Sequence, residues 1–183
     1  MSLTYSSMLD LDSTLIEFDL YNAITNINFA SNALDKTKPS LIMFICNHCP
    51  YVIHYHEQIQ KLEYDFKEVV DMVAISSNDV INYPQDGPEE MKLLWEKLGL
   101  SFPYLFDESQ SIAKKYRAAC TPEFYLFAAN KKLVYRGRFD DTNPSSNREP
   151  DGKDLRTAIN CIIKDKQCSL EQYPSMGCNI KWK

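Results

Sequence analysis

A continuous apolar run that ends in two closely spaced cysteines constrains the fold of this chain more than any other feature. The run, SLIMFIC, covers residues 40–46 and is followed by Asn47, His48, Cys49 and Pro50. Apolar residues without alternation are typical of a strand that is buried on both faces of a sheet. Residues 50–67 then place apolar side chains at helical spacing. The pattern therefore predicts that the cysteines lie where a buried strand passes into a helix.

Strand and helix patterns alternate along the rest of the chain. A second apolar run at residues 69–77 predicts another buried strand, and residues 88–99 predict a helix that begins at proline and stops at glycine. The remaining expected elements are a short edge strand at 102–107, a short helix at 109–116, a hairpin at 123–139 and a helix at 153–165. This order predicts an α/β sandwich with a central mixed β-sheet flanked by helices.

The whole chain, residues 1–183, is expected to form one domain. Residues 1–40 are polar and predict an irregular N-terminal extension, with one short strand in the FDLYNAI stretch. Residues 165–183 are expected to form a C-terminal tail after the last helix.

Composition excludes several functional classes. The net charge of −5 at pH 7 and the lack of a basic stripe argue against nucleic acid as a partner. No apolar run approaches the roughly 18 residues of a membrane helix, and the N-terminus lacks a secretory pattern. Six cysteines in 183 residues are too few for a disulfide scaffold. We therefore expect a cytoplasmic protein in which Cys-x-x-Cys is catalytic or binds metal.

The position of the helix start decides which cysteine attacks. A helix N-terminus favours a thiolate over a thiol, and a residue before proline avoids the α region. The favoured register therefore has Cys49 as N-cap and Pro50 at the first helical position. The Cys49 sulfur is then expected to face the N–H groups of Tyr51 and Val52 and to be the low-pKa thiolate, with Cys46 as its disulfide partner.

A competing register has Asn47 as N-cap, because asparagine is preferred there. Cys46 would then be the more exposed and more reactive sulfur. In either register His48 lies between the cysteines and would tune them by its positive charge when protonated. The catalytic candidates are thus Cys46, Cys49 and His48.

A metal site is an alternative use of the same stretch. Cysteine and histidine are typical zinc ligands, and five of them lie within eleven positions: Cys46, His48, Cys49, His54 and His56. The spacing of His54 and His56 points them to different faces of the helix, neither clearly toward the cysteines. The sequence therefore favours no metal and no other cofactor, and it predicts surface or packing roles for His54 and His56.

The stretch AACTPEFYLF, residues 118–127, is the second informative one. A proline directly before a strand is typical of a strand start, and an X-Pro bond adopts the cis form at little cost. We expect a cis Thr121–Pro122 bond opposite the cysteine pair. Thr121, Pro122 and Cys120 are the candidate substrate-binding residues.

The CNHCP sequence, followed by TPEFYLF, resembles the thioredoxin fold. Four stretches are similar to the peroxiredoxin-like redoxins of the alkyl hydroperoxide reductase/thiol-specific antioxidant superfamily: AISSNDVINYPQDGPEEMK, PYLFDESQSIAKKYRAACTPEFYLF, LVYRGRFDD and GCNIKWK. The resemblance covers residues 15–183. It implies a mixed sheet flanked by helices and a thiol-based redox activity, and it places Cys49 at the peroxidatic position of that superfamily.

The chain departs from the peroxiredoxin pattern near the site. Cys46 stands where peroxiredoxins carry threonine or serine, Ile42 stands where they carry proline, and the region of their arginine reads Cys-Thr-Pro at residues 120–122. Arg136 and Arg138 lie on the following strand. Two of the usual donors that stabilise a breaking O–O bond are therefore absent, and the site resembles a thiol–disulfide exchanger in a peroxiredoxin-like frame.

Three functional hypotheses follow. The first is a thiol–disulfide oxidoreductase that cycles Cys46 and Cys49 between dithiol and disulfide, with protein or small-molecule thiols and disulfides as partners. The second is an antioxidant thiol peroxidase with Cys49 as attacker and Cys46 as resolver. The third is a non-enzymatic metal carrier. A monomer or weak homodimer without membrane partners is expected.

Each remaining cysteine is assigned either a structural role or a role in the active site. Cys120 is either a buried small residue or a third active-site thiol. Cys161 is expected in the core and Cys168 is expected to be incidental. Cys178 lies in a tail that could fold back over the site and supply a resolving thiol. Glu123, just past Pro122, is a candidate proton relay.

Overall fold

The computed structural model describes residues 3–166 and 171–183. Its strands are β1 (Leu3–Tyr5), β2 (Asp19–Asn22), β3 (Ile27–Ala30), β4 (Ser40–Phe44), β5 (Asp71–Ser76), β6 (Tyr104–Phe106), β7 (Cys120–Thr121), β8 (Glu123–Phe127), β9 (Leu133–Gly137) and β10 (Met176–Asn179). Its α-helices are α1 (Pro50–Ile53), α2 (His56–Phe66), α3 (Pro88–Leu98), α4 (Ser111–Tyr116) and α5 (Lys153–Ile163). No helix in these ranges is both long enough and apolar enough to cross a bilayer.

A seven-stranded mixed sheet forms the centre of the fold, in the order β3-β2-β6-β5-β4-β8-β9. Strands β4, β5 and β6 are mutually parallel, and the others pair antiparallel. Parallel neighbours need a crossover connection, which α1 and α2 supply between β4 and β5, and α3 supplies between β5 and β6. The thioredoxin-like α/β sandwich expected from the sequence is confirmed.

Strand β4 is buried along its whole length because helices and loops cover both faces of the sheet. Leu41 and Met43 join a cluster that includes side chains of α2, α3 and α5. Ile42 and Phe44 join the opposite cluster, with α4 and the N-terminal segment. Successive side chains of a strand point to opposite faces, so an uninterrupted apolar run suits this central position.

The helix predicted over residues 50–67 is broken in two. Tyr55 separates α1 from α2, with φ −100° and ψ 1°. Its N–H donates to Val52 O at 3.0 Å, a tightened i→i−3 bond. The Tyr55 side chain is buried and its hydroxyl donates to Thr142 O at 2.8 Å. This contact with a residue distant in the sequence stabilises the interruption between α1 and α2. The local sequence contains no pattern that predicts it.

The prediction of an edge strand at residues 102–107 is wrong. In the N-terminal extension the short strand expected in the FDLYNAI stretch is confirmed as β2, but the extension is less irregular than expected because β1 and β3 also lie in it. Strand β6 pairs with β5 on one side and with β2 on the other, where Tyr21 faces Phe106. The edge is occupied instead by the β2–β3 hairpin, from residues 19–30. Strand β3 is exposed or half-exposed throughout, so it lacks the apolar signal of a buried strand.

The C-terminal tail forms a strand of a second, three-stranded sheet in the order β1-β10-β7. Cys178 of β10 faces Thr121 of β7 and Leu3 of β1. An added Cβ on Gly177 would lie 2.0 Å from Thr121 O, so only glycine permits this approach. Cys161 is half-buried on α5, and Cys168 lies outside the described residues.

Replacement of Gly177 by alanine tests the close approach of β10 to β7. Because the new Cβ would overlap Thr121 O, we expect the free energy of unfolding to fall by about 2–3 kcal/mol, the cost of overpacking. Denaturant titration measures this loss. Gly99→Ala is the control: φ there is +65° but nothing lies within 4 Å of an added Cβ, so only a backbone cost of about 1 kcal/mol applies. Equal losses in the two variants would contradict the tight packing.

Candidate active site

The site forms where β4 ends and α1 begins. Cys49 is the N-cap of α1, with φ −72° and ψ 122°, and Pro50 occupies the first turn. The favoured register of the sequence analysis is therefore confirmed. Strand β8 pairs with β4 so that Glu123 faces Phe44. This pairing brings the segment just before β8, Thr121–Pro122, to the cysteines.

The Thr121–Pro122 bond is cis, and Thr121 contacts both sulfurs. Cys49 Sγ lies 3.2 Å from Thr121 O. Cys46 Sγ lies 3.4 Å from Thr121 Oγ1. The fold thus brings together four of the predicted site residues: Cys46, Cys49, Thr121 and Pro122.

The two sulfurs differ sharply in acidity. Hydrogen bonding from the Cys46 thiol is the largest cause that lowers the pKa of Cys49 to about 5, and it outweighs burial, which raises it. Further hydrogen bonds come from the thiol and N–H of Cys178 and from the side chain of Thr121. The same Cys46–Cys49 hydrogen bond, together with burial and the charge of Asp86, raises the pKa of Cys46. Cys49 therefore carries the negative charge and Cys46 keeps its proton.

The expectation that the Cys49 sulfur faces the N–H groups of Tyr51 and Val52 is wrong. The cap has no side-chain hydrogen bond. The N–H groups of Val52 and Ile53 donate instead to the carbonyl oxygen of Cys49, at 2.9 and 3.0 Å. An N-cap carbonyl normally accepts the first helical bond. The donors that stabilise the thiolate therefore come from neighbouring segments and not from α1.

His48 is fixed beside the pair by a buried carboxylate. Its Nδ1 donates to Asp86 Oδ2 at 2.7 Å, and its ring stacks on Tyr83 at 5.6 Å between centroids. Asp86 is fully buried and also accepts the N–H of Asn47 and the side-chain amide of Asn78, each at 2.8 Å. Sequence reasoning missed Asp86, which follows Pro84 in a short 3₁₀ turn. Its only sequence signal is an acid within a proline–glycine loop.

Three potential metal-ligand atoms lie within 4.8 Å of one another, on Cys46, His48 and Asp86. These residues could hold a metal ion if His48 and Asp86 gave up their mutual hydrogen bond. The other two histidines lie elsewhere. His54 Nε2 is 2.9 Å from Thr142 Oγ1, and burial lowers the pKa of His56.

Residues on both sides of the cis bond form a second buried cluster. Cys120 Sγ lies 3.9 Å from both Glu123 Oε2 and Ser175 O. Glu123 accepts the Tyr125 hydroxyl at 2.6 Å and the Ala119 N–H at 3.0 Å, and burial raises its pKa. The Cys120 side chain is thus fully buried against protein groups.

The two arginines of the next strand segment are engaged away from the sulfurs. Arg136 donates to Leu9 O at 2.8 Å and to Gln172 Oε1 at 2.7 Å. Arg138 pairs with Asp154 at 2.6 Å. A cleft of about 230 Å³ opens between Arg138 and Pro122, and its other walls include the aromatic side chains Tyr5, Tyr55, Phe124, Phe139 and Tyr173.

Comparison with known proteins agrees with this geometry. Residues 14–154 match the Redoxin family. The chain belongs to the Redoxin family. Family membership supports a thiol-based redox role for this redoxin. Curated proteins give no match to the chain.

Two solved structures resemble this redoxin over its whole length. An uncharacterized conserved protein from Geobacillus kaustophilus is 41% identical, with a TM-score of 0.97 and coverage of 100% of this chain and 97% of the other. A hypothetical protein from Sinorhizobium meliloti 1021 is 38% identical, with a TM-score of 0.95 and 98% coverage of each chain. A secreted disulfide oxidoreductase from Mycobacterium tuberculosis shares the fold, at 17% identity and a TM-score of 0.61 over 79% of this chain and 95% of its own.

Titration of the reduced redoxin should reveal the acidic thiol. Because the pKa of Cys49 is lowered to about 5, ultraviolet thiolate absorbance should rise as the pH increases through that value. Cys49→Ser should remove the step. Cys46→Ala should move it to higher pH, since the largest stabilising hydrogen bond is lost. Cys161→Ser is the control that keeps it. A first thiolate step at the ordinary value of about 8.5 would contradict the assignment.

Substitution of Asp86 tests its influence on Cys46. The negative charge of Asp86 raises the pKa of Cys46, so Asp86→Asn should shift the Cys46 titration to lower pH. The difference in thiolate absorbance between Cys49→Ser and Cys46→Ser/Cys49→Ser, each with and without Asp86→Asn, isolates this titration. Asp79→Asn, which removes another carboxylate from the same connection between β5 and α3, is the matched control. An unchanged or higher Cys46 midpoint in Asp86→Asn would count against the electrostatic link.

Proposed function

We propose that this redoxin is a thiol–disulfide oxidoreductase that cycles Cys46 and Cys49 between dithiol and disulfide. The observation that carries the proposal is the arrangement of Cys46 and Cys49 at the start of α1, where Thr121 contacts both sulfurs. The pKa of Cys49, lowered to about 5 mainly by a hydrogen bond from the Cys46 thiol, supports it. One member of the pair is ready to attack while the other holds its proton next to it. Thiolates, not thiols, are the nucleophiles in this exchange.

The reaction proceeds in two exchanges. The Cys49 thiolate attacks a sulfur of the substrate disulfide, forms a mixed disulfide and releases the first substrate thiolate. Cys46 then loses its proton and attacks the Cys49 sulfur, which releases the second substrate thiolate and leaves the Cys46–Cys49 disulfide. Two external thiols then reduce the Cys46–Cys49 disulfide by the same two exchanges and are themselves oxidised to a disulfide. Two electrons pass from the pair to the substrate in each cycle.

His48 and Asp86 are the groups that accept the proton that Cys46 must lose. Their polar atoms lie within 4.8 Å of Cys46 Sγ, and the buried Asp86 carboxylate holds the His48 ring in place through Nδ1. In the reduced site the hydrogen bond with Cys49, burial and the negative charge of Asp86 raise the pKa of Cys46 and keep it protonated. Once Cys49 is in the mixed disulfide, its negative charge no longer opposes ionisation of Cys46.

Substrate is proposed to lie along the Thr121–Pro122 segment and in the adjoining cleft. The cleft beside Pro122 is rich in aromatic side chains and has Arg138 and Asp140 at its walls. Such a surface suits a peptide or a small organic thiol, with protein or small-molecule thiols and disulfides as partners. The Cys120 side chain contacts Glu123 and Ser175 instead, so the contribution proposed for Cys120 is limited to its backbone. A reducing compartment such as the cytoplasm and a monomer or weak homodimer complete the proposal.

Peroxide reduction is the second candidate function. The low pKa of Cys49, at the peroxidatic position implied by the resemblance to peroxiredoxins, favours it, with Cys46 as resolver. Against it, Arg136 and Arg138 bind Leu9, Gln172 and Asp154, which leaves disulfide exchange as the better-supported reaction.

Steady-state assays separate the two candidates. With dithiothreitol as recycling thiol, we expect the redoxin to reduce oxidised glutathione faster than hydrogen peroxide. Cys49→Ser should lower this activity by roughly a thousand-fold or more, since the nucleophile is removed, whereas Cys161→Ser should retain it. Faster turnover of peroxide would favour the peroxidase, and an unchanged Cys49→Ser rate would reject both.

A further inference from the structure

The C-terminal strand is built into the site. Strand β10 pairs antiparallel with β7, the strand that carries Thr121, and it lies beside α1. Two side chains anchor the chain just after β10. Asn78 Oδ1 accepts the Lys181 N–H at 2.8 Å, and Gln110 Nε2 donates to Lys181 O at 2.8 Å. The Redoxin match ends at residue 154, so family membership assigns no role to this strand.

Cys178 is the residue of β10 that reaches the reactive pair. It is 5% exposed and belongs to the same buried cluster as Cys46 and Cys49. Its position opposite Thr121 depends on the neighbouring glycine, where any Cβ would overlap Thr121 O. The Cys178 thiol and N–H both hydrogen bond to the Cys49 sulfur. Cys49 is therefore in contact with two thiols, of which only one at a time can form a disulfide with it.

We propose that Cys178 is a third redox-active cysteine of this site and exchanges with the Cys46–Cys49 disulfide to form a Cys49–Cys178 disulfide. This inference rests on the proposed thiol–disulfide activity. The Cys178 thiolate attacks the Cys49 sulfur, the Cys178–Cys49 bond forms and the Cys46–Cys49 bond breaks. Cys46 leaves as a thiolate and takes up the proton that Cys178 gave up. The exchange is neutral in electrons, because the substrate disulfide has already supplied the oxidation.

The charge on Cys49 determines when the Cys178 thiol can lose its proton and attack. In the reduced site, burial and then the hydrogen bond and charge of Cys49 raise the pKa of Cys178 to about 12, so it remains a thiol. Conversion of Cys49 to a disulfide removes its negative charge and with it two of these causes. Lys181 acts in the opposite direction and lowers the Cys178 pKa. Cys178 therefore becomes more acidic only after Cys49 has been oxidised.

The exchange would link β10 covalently to the N-terminus of α1. Cys49 is 0% exposed and Cys46 is 1% exposed with β10 in place. A Cys49–Cys178 bond would hold β10 against α1 and return Cys46 to the thiol form. Cys178 would also attack a mixed disulfide on Cys49 and release the substrate thiol when Cys46 does not attack it.

The test uses the Cys46→Ser variant and oxidised glutathione. Cys49 should first take one glutathione, and Cys178 should then displace it. Intact-protein mass should show loss of the adduct, and peptide mapping should find Cys49 linked to Cys178. In Cys46→Ser/Cys178→Ser the adduct should persist about 100-fold longer, because an intramolecular attacker is absent. Cys46→Ser/Cys161→Ser is the matched control and should behave like Cys46→Ser.

Wild-type protein provides a second measurement that does not depend on a variant fold. After limited oxidation by oxidised glutathione, mapping should find both the Cys46–Cys49 and the Cys49–Cys178 linkages. A wild-type map with only Cys46–Cys49, or equal adduct lifetimes with and without Cys178, overturns this inference and leaves the oxidoreductase intact. Absence of both the adduct on Cys49 and the Cys46–Cys49 disulfide overturns both.

Discussion

The junction between β4 and α1 is the constraint on which the site depends. Pro50 has no N–H to donate, and the residue before it avoids the helical region. The chain must therefore leave the strand before Cys49 and begin the helix directly after it. Because β4 is central in the sheet, this turn places Cys49 against the segment that enters β8. A helix start one turn earlier or later would carry the sulfur away from Thr121.

A buried negative sulfur is costly unless its neighbours compensate it. Here the compensating donors come from three separate parts of the chain: Cys46 after β4, Thr121 on β7 and Cys178 on β10. Hydrogen bonds to charged groups contribute about 1.5–3 kcal/mol each, so loss of any one segment weakens the thiolate. Reactivity and tertiary structure are thereby coupled, since the acidic thiol exists only while the strands that surround it are paired.

Local chemistry made part of this arrangement predictable. Strand β4 was predictable from its unbroken apolar run, and the register of α1 from a single proline. Asp86 was not, because it meets His48 across 38 positions and no spacing rule joins them. Strand β10 was not, because its residues Met-Gly-Cys-Asn show no strand pattern, and its conformation comes from pairing with β1 and β7. Tyr55 likewise breaks a helix through a partner at residue 142.

Strand β10 follows every other part of the site along the chain, and this has a consequence for the order in which the site forms. A chain grows from its N-terminus, so β4, α1 and the Thr121 segment emerge well before residues 176–179. During that interval the Cys49 sulfur lacks both hydrogen bonds from Cys178 and has no strand over it. The nascent chain therefore carries a less acidic and more accessible thiol, and the pKa of Cys49 reaches its low value only when the last strand docks.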